Sequence, residues 1–495
     1  MKGFNLKLIV HILGLLLLFN AIFMGITTLY SYLQNDGITT GLLKALALNV
    51  IVGGLALGLT LHHRKEIKKR EGYVIVAFGW LTMVVFGMFP YLFTATIGSG
   101  TDAFFETMSG YTATGATILD DIEALPRSIL LWRSLTHWMG GMGIIVLAIA
   151  ILPLLGIGGM QLFSAEAPVL GGDKLHPRIS DTAKRLWLIY VGLTLTNALL
   201  LFVSGMPFFD AINHAMSTMA SGGFSTKNAS IGHWNYMPQI QYITIFFMIL
   251  AGSNFVLLYY AIKGKFKRVF ADTEFSWYTG FIAVFAFIVM ASILRQGTYV
   301  TADASMFAVW EQSFRHALFQ VVALITTTGL VTADFTAWTP FVTMLFFGLM
   351  FLGGSTGSTS GGVKVMRHLI LLKNGFLEFK RALHPNAILM VRMNKVTIEQ
   401  SIVYNVLAFF ILYMILFIIG AGVLSTLGLD FTTAIGAAAS SLGNVGPGLG
   451  DVGPASTFSS LPDFGKYWCS LLMLLGRLEL FTVLILFTPY YWRKH

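Results

Sequence analysis

Four short polar stretches interrupt an otherwise apolar sequence at nearly regular intervals. They read GYTATGATILDD at 110–121, MASGGFSTKN at 219–228, LITTTGLVTAD at 324–334 and SLGNVGPGLGD at 441–451. Each lies about 110 residues beyond the last and sets Gly beside Thr, Ser or Asn. These residue types supply no paired acid and base and no activated nucleophile. What they can supply is backbone carbonyl oxygen, because glycine lets the main chain turn with no side chain in the way. A ring of such carbonyls can replace the hydration shell of a monovalent cation. The chemistry they suit is ion coordination.

The elements just before them explain how such a ring could be held. DAFFETMSGY (102–111), DAINHAMSTM (210–219), RHALFQVVA (315–323) and DFTTAIGAAA (430–439) are about ten residues long. That is too short to span a bilayer. Asp102 and Asp210 each precede a glycine by thirteen positions, Gly115 and Gly223, and are expected as helix N-caps. Asp430 fits this register more loosely, and the third segment has no Asp at its start. All four read as re-entrant half-helices. Non-helical backbone is tolerated at membrane depth only where it is buried in protein or lines water. Four helix C-termini aimed at one centre would gather partial negative charge there and favour a cation.

Composition requires the membrane. Of 495 residues, 56% are hydrophobic and 11% charged, against roughly a quarter charged in soluble chains. Two helices come first, near 8–30 and 40–60. Then one unit repeats four times, as a spanning segment, a half-helix, a polar loop and a second spanning segment. The spans fall near 73–95 and 129–155, 183–205 and 238–262, 276–296 and 338–372, and 398–424 and 466–490. About ten crossings result, and two per unit means that every unit starts on the same side, so the repeats are parallel. The expected fold is an all-α polytopic membrane protein with four membrane–pore–membrane repeats in pseudo-fourfold arrangement around one pore. Its divisions are 1–70, 71–182, 183–270, 271–395 and 396–495.

The net charge of +9 reads as the positive-inside rule and gives no reason to expect nucleic acid. Basic clusters at 62–72, 263–268, 373–395 and 490–495 belong on the cytoplasmic side. The single cysteine, Cys469, allows no intramolecular disulfide. Lys2 and Lys7 precede an apolar run too long for a signal peptide, so the first helix is expected to be retained.

The order of these features resembles the Trk/Ktr/HKT superfamily of potassium transporters, and within it the TrkH-type membrane subunits of bacterial Trk uptake systems. The segments that carry the resemblance are DAFFETMSGYTATGAT, WMGGMGIIVLAIAILPLLGIGGMQL, GGSTGSTSGGVKVMRH, LGNVGPGLG and GRLELFTVLILFTP. The resemblance implies one filter glycine per unit, matching Gly115, Gly223, Gly329 and Gly446. The residues before them would add carbonyls: Ala113 and Thr114, Ser221 and Gly222, Thr327 and Thr328, Asn444 and Val445. Sodium-preferring relatives often replace the first glycine with Ser, so four glycines imply potassium as the transported ion. The resemblance also implies a bacterial inner-membrane location, a homodimer, and a cytosolic ring of TrkA-like nucleotide-binding subunits. The basic stretch 373–395 is a docking face for that ring, or simply a positive-inside loop. Membrane lipid is the remaining partner, and no organic cofactor is expected.

The second helix of each unit has a glycine at a comparable place: Gly141, Gly252, Gly354 and Gly476. Unit three departs sharply there. GGSTGSTSGG, with Gly353, Gly354, Ser355, Gly357, Gly361 and Gly362, breaks an apolar run. Such a segment has poor helix propensity and cannot face lipid. In the family this stretch is the intramembrane loop that obstructs the pathway; the blander reading is a helix kink. Arg477 lies deep in the last span, where an ionisable residue implies function. It is expected level with Ser355, hydrogen-bonded to loop carbonyls, with a partnership to Glu479 as the alternative. Lys364 and Arg367 are expected to approach the cytoplasm.

An enzyme would need a catalytic constellation, and the sequence has no HExxH motif, no intramembrane Asp pair on facing spans and no GxSxG followed by a helix. His62 and His63 sit in a basic loop, while His214 and His316 lie in neighbouring pore segments and read as structural. A proton- or sodium-coupled cation symporter using the same pore is the closer alternative. Carriers usually place acids at the midplane, and these spans carry few.

Overall fold

The computed structural model describes residues 5–61, 69–146, 179–300, 305–394 and 396–493. His62, His63, most of the basic loop at 62–72, the far end of the 129–155 span and the last two residues lie outside the described residues.

The first two helices, Leu6–Gln34 and Thr39–Leu59, cross where both carry glycine. A Cβ on Gly14 would sit 2.9 Å from Ala56 Cβ and 3.0 Å from the Gly53 carbonyl. Small residues let helices approach this closely in lipid. Asn20 Nδ2 donates to Asn49 Oδ1 across the pair at 3.1 Å, and Tyr111 Oη donates to Asn20 Oδ1 at 2.5 Å. The two helices are thereby fastened to the first pore unit. Polar groups point inward, while Ile22, Leu55 and Leu59 face outward.

The four units follow in order. Their first helices are Lys69–Gly87, Ile179–Val203, Thr273–Gln296 and Gln400–Thr426. Their short helices are Gly100–Thr112, Phe208–Met219, Met306–Ile325 and Phe431–Gly443. In three units the short helix packs on the second helix of the unit before it. Phe208–Met219 lies on Arg127–Val146, Met306–Ile325 on Pro238–Ala251, and Gly100–Thr112 on Asp463–Arg477. The last contact joins unit four to unit one and closes the ring.

The short helices start differently from the sequence expectation. Ser99, not Asp102, caps the first, accepting from the Asp102 amide at 3.4 Å. Pro207 precedes the second, and Asp210 lies in its first turn. Asp430 does cap the fourth, accepting from Thr432 and Thr433 amides. The third begins at Met306 behind a Ser305 cap and runs twenty residues, well before Arg315. Glu311 lies in that added length and pairs one turn on with the buried Arg315 at 2.7 Å.

The second helices of units two, three and four are broken. Pro238–Ala251 and Phe255–Ile262 meet at 109°, and Asp463–Arg477 and Phe481–Phe487 at 110°. The continuous spans expected at 238–262 and 466–490 are therefore bent. Asn254 makes the first bend by capping the following helix, accepting from the Val256 amide at 2.8 Å. Glu479, at φ 58°, makes the second. In unit three Pro340–Leu349 stops, and 350–364 is irregular before Val365–Leu383. Six described helices are long and apolar enough to cross a membrane, or eight if each bent pair is one span. A hairpin of Arg392–Met393 with Val396–Thr397 lies beyond Val365–Leu383.

Candidate functional site

The four short helices end in the same way. Ala113, Ser221, Thr327 and Asn444 sit at φ 51°, 55°, 53° and 52°. Two positions on, Gly115, Gly223, Gly329 and Gly446 have φ 88°, 86°, 66° and 104°. Left-handed backbone costs a residue with a Cβ about 1 kcal/mol or more, so its repetition at four non-glycine residues marks an imposed conformation. In an extended strand successive carbonyls alternate sides; left-handed residues at every second position turn them to one side.

The amides are used up in the other direction. Thr114, Gly222, Thr328 and Val445 donate back to Ser109, Ser217, Ala323 and Ser440 carbonyls at 2.8–2.9 Å. This is the six-to-one bond that closes a helix C-terminus on a left-handed residue. The carbonyls are left over. Among the described residues, only Gly446 of the twelve positions 113–115, 221–223, 327–329 and 444–446 has an accepting carbonyl, from Ser440 Oγ at 2.6 Å.

These strands form a closed ring. A Cβ on Gly115 would strike the Gly222 carbonyl oxygen, one on Gly223 that of Thr328, and one on Gly329 that of Val445. A Cβ on Gly446 would lie 2.7 Å from that of Thr114, which returns to unit one. Glycine is required at these four places by both φ and closeness. Gly222 is fixed from behind, since its Cβ would lie 2.6 Å from His137 Cε1.

Above the ring a cavity of about 190 Å³ opens, lined by the four glycines with Asp120 and Lys227. Asn228 Nδ2 donates to Asp121 Oδ1 at 3.0 Å and, with backbone amides, holds that carboxyl below its ordinary range. Lys227 Nζ donates to Glu123 at 3.1 Å and lowers that carboxyl as well.

Directly beneath the ring lies the loop of unit three. Gly353 donates from its amide to Val363 O at 2.8 Å, Gly354 to Ser360 Oγ at 3.1 Å and Ser355 to Gly252 O at 2.8 Å. Gly357 O accepts from Phe255 at 3.2 Å. The Gly361 amide donates to Thr327 Oγ1 at 2.6 Å, and Gly362 turns at φ 66°. Thr359 Oγ1 is 2.9 Å from Ser221 Oγ and donates to Met219 O and Ala251 O at 2.9 and 3.1 Å. The loop thus binds side chains of two ring residues, Ser221 and Thr327.

Arg477 reaches this loop. Its Nη1 donates to Thr359 O at 2.8 Å and its Nη2 to Gly140 O at 3.3 Å. Glu479 instead pairs with Arg367, so the Arg477–Glu479 alternative is not formed. The matching of Gly476 with Gly141 also shifts by one. Cβ atoms on Gly140 and Gly476 would both press on the carbonyl four residues before the ring glycine of their own unit, Tyr111 and Leu442. Gly140 is the counterpart of Gly476, and Arg477 stands where Gly141 and Gly252 stand in units one and two. Lys364 is buried and holds the loop, donating from Nζ to Ser360 O at 2.5 Å.

His214 and His316 are separately satisfied. His214 Nε2 is 2.9 Å from Ser225 Oγ, and His316 Nδ1 is 3.0 Å from Thr332 Oγ1. Three participants escaped the sequence reading. Glu274 accepts from Thr356 and Met366 amides at 2.7 and 3.2 Å, anchoring both ends of the loop. Glu106 and Arg133 form a buried ion pair beside the first ring strand. Each looks in sequence like an ordinary charge near a helix end; the only signal was an acid or base among apolar neighbours.

A family model for TrkH, described as a cation transport protein, matches residues 39–494. The Trk system potassium uptake protein TrkH of Halomonas elongata is 41% identical over 494 residues, covering 99% of this chain and 100% of that protein. The protein of the same description from Escherichia coli K12 is 39% identical over 493 residues, with 99% and 100% covered. The crystal structure of the potassium transporter TrkH from Vibrio parahaemolyticus superimposes with a TM-score of 0.90 at 36% identity, covering 99% of this chain and 100% of that one.

Proposed function

The chain belongs to the TrkH family of cation transport proteins, and we propose that it takes up potassium through the ring formed by residues 113–115, 221–223, 327–329 and 444–446. It is a multi-pass protein of the bacterial inner membrane. The observation that carries the proposal is the set of buried carbonyls without donors. A buried acceptor left unsatisfied costs about 1–3 kcal/mol, and a dehydrated cation removes that cost at all of them together. Four helix C-termini behind the ring add partial negative charge, so a monovalent cation is favoured without any carboxylate.

The loop from Gly353 to Gly362, with Arg477, is the gate in its closed position. It fills the path beneath the ring with hydrogen-bonded backbone and adds one fixed positive charge. Opening requires the bonds from Thr359, Gly361 and Arg477 to break, and Lys364 and Glu274 to let the loop swing.

The functional unit is a homodimer with a cytosolic TrkA-like ring. Val365–Leu383 carries exposed Phe376, Phe379 and Leu383 beside Lys373, Lys380 and Arg381. Apolar anchors with a basic rim suit a docking surface.

The test is flux of potassium, rubidium, sodium and lithium into liposomes holding the purified protein, wild type against Gly115→Ser. Potassium and rubidium flux in wild type, with discrimination lost in the variant, supports the filter. Equal flux of all four ions, or a variant that discriminates like wild type, overturns it. Flux that stops when proton and sodium gradients are abolished moves the reading to symport through the same pore.

A further inference from the structure

We propose that Glu106 and Arg133 are positioning residues that set ion discrimination by fixing the distance between the first and second ring strands; this rests on the filter reading above. Glu106 is on the short helix of unit one and Arg133 on the second helix of that unit. Both side chains are essentially without solvent contact, at 0% and 1% exposure.

Glu106 binds the outer end of strand one. Both its oxygens accept from Thr117 Oγ1 at 3.0 Å, and Oε2 accepts from the Ile118 amide at 3.1 Å. Arg133 donates from Nε to Glu106 Oε1 at 2.8 Å and from Nη2 to Thr117 Oγ1 at 3.3 Å. Its Nη1 donates across to Ser225 O at 3.1 Å. The guanidinium also lies over the Phe224 ring, 4.0 Å from its centroid. Thr117 is two residues beyond Gly115, and Ser225 two beyond Gly223. One rigid planar cation therefore spans equivalent points on adjacent strands.

Comparison among the units indicates that this contact braces the ring. The residue nine before each ring glycine is Glu106, His214, Gln320 and Ala437. Glu106 reaches Thr117, His214 reaches Ser225, and Gln320 Nε2 donates to Ala333 O at 3.2 Å. Three units tie helix to outer strand from one position with three different groups. Only Glu106 is part of an ion pair that continues into a neighbouring unit. Discrimination by a carbonyl ring depends on cavity size or on how many carbonyl dipoles the ion meets, and strand separation controls both. A dehydrated charge pair is also costly to retain, so its presence behind the ring calls for a reason beyond packing.

The experiment measures rubidium and sodium flux into proteoliposomes for Glu106→Gln, Arg133→Lys and Gly115→Ser, with melting temperature as the folding control. Gln cannot carry the charge, and Lys cannot bridge two strands at once. The rubidium-to-sodium ratio is expected to fall roughly tenfold in each brace variant, the scale of one lost charge-assisted hydrogen bond. The pair of changes together is expected to add little beyond either alone. If Glu106→Gln fails to fold, Arg133→Lys, which keeps the buried charge, carries the test. A wild-type ratio in folded brace variants, alongside an altered ratio in Gly115→Ser, overturns the proposal and leaves the filter standing. A wild-type ratio in all three overturns both.

Discussion

Arg477 donates from Nη1 to the carbonyl of Thr359 across 2.8 Å, joining the break in the last helix to the middle of the glycine–serine loop. The bond crosses from unit four to unit three beneath the ring. Arg477→Ala removes this donor, the contact to Gly140 and a fixed charge from the proposed cation path. A bias of one or two kcal/mol toward the open loop corresponds to roughly 5–30-fold in population. Rubidium uptake by the variant is expected to rise within that range. Unchanged or reduced uptake in folded protein would remove Arg477 from the gate.

Thr359→Val tests the same proposed gate without touching charge. The hydroxyl contacts Ser221 Oγ, Met219 O and Ala251 O, all in unit two. Valine keeps the shape and loses these bonds, at about 1 kcal/mol for a neutral hydrogen bond. Uptake is expected to rise about fivefold, less than for Arg477→Ala. A larger rise than in the arginine variant would mean that the loop is held mainly from unit two.

Much of this architecture was legible because membrane patterning is coarse and repeated. Spanning lengths, half-length segments and the Thr/Gly interruptions each follow from what lipid forbids, and they sit in order along the sequence. The breaks were not legible. Pro238–Ala251 and Phe255–Ile262 read as one apolar run, since the bend is made by Asn254 capping a new helix, a short polar interruption with no loss of hydrophobicity. The third short helix begins nine residues before the expected 315–323 segment, and its added length carries Glu311, whose partner Arg315 one turn on becomes evident only in the structure. Glu106, Arg133 and Glu274 were missed for a related reason. Their importance lies in partners far along the chain, and spacing alone carries no trace of those.

Outside pH provides a third prediction. The hydrogen bond from Lys227 Nζ is the first cause holding the Glu123 carboxyl below its ordinary range, against opposing desolvation. A carboxyl lowered on folding stabilises the structure above its unfolded pKa, and that contribution is lost as pH falls through the folded value. Acidification below the ordinary carboxylate range is thus expected to release Lys227, which lines the cavity above the ring. The vestibule then gains positive charge and cation entry slows. Uptake measured against external pH is expected to fall in acid for wild type, and Glu123→Gln is expected to show lower uptake near neutrality with a flatter acid limb. Superimposable profiles would remove this pair from the conduction path.

The ring glycines differ from other glycines of the chain in a way that stability measurements can read. Gly446 has φ 104°, and a Cβ there would lie 2.7 Å from the Thr114 carbonyl oxygen. Gly280, on the first helix of unit three, has open space where its Cβ would be. Gly446→Ala combines strained backbone with overpacking, each worth about 1–3 kcal/mol. Gly280→Ala gains about 1 kcal/mol of helix propensity at most. The melting temperature is expected to fall for Gly446→Ala and to hold or rise for Gly280→Ala, with rubidium-over-sodium discrimination lost only in the former. The strain acts where the strand of unit four meets that of unit one. Gly446→Ala is therefore also expected to disturb the Asn444 Nδ2 bond to Thr114 Oγ1, 3.0 Å long, which ties those units below the same glycine. Retained discrimination in a folded Gly446→Ala protein would show that the fourth strand contributes no carbonyl that the ion needs.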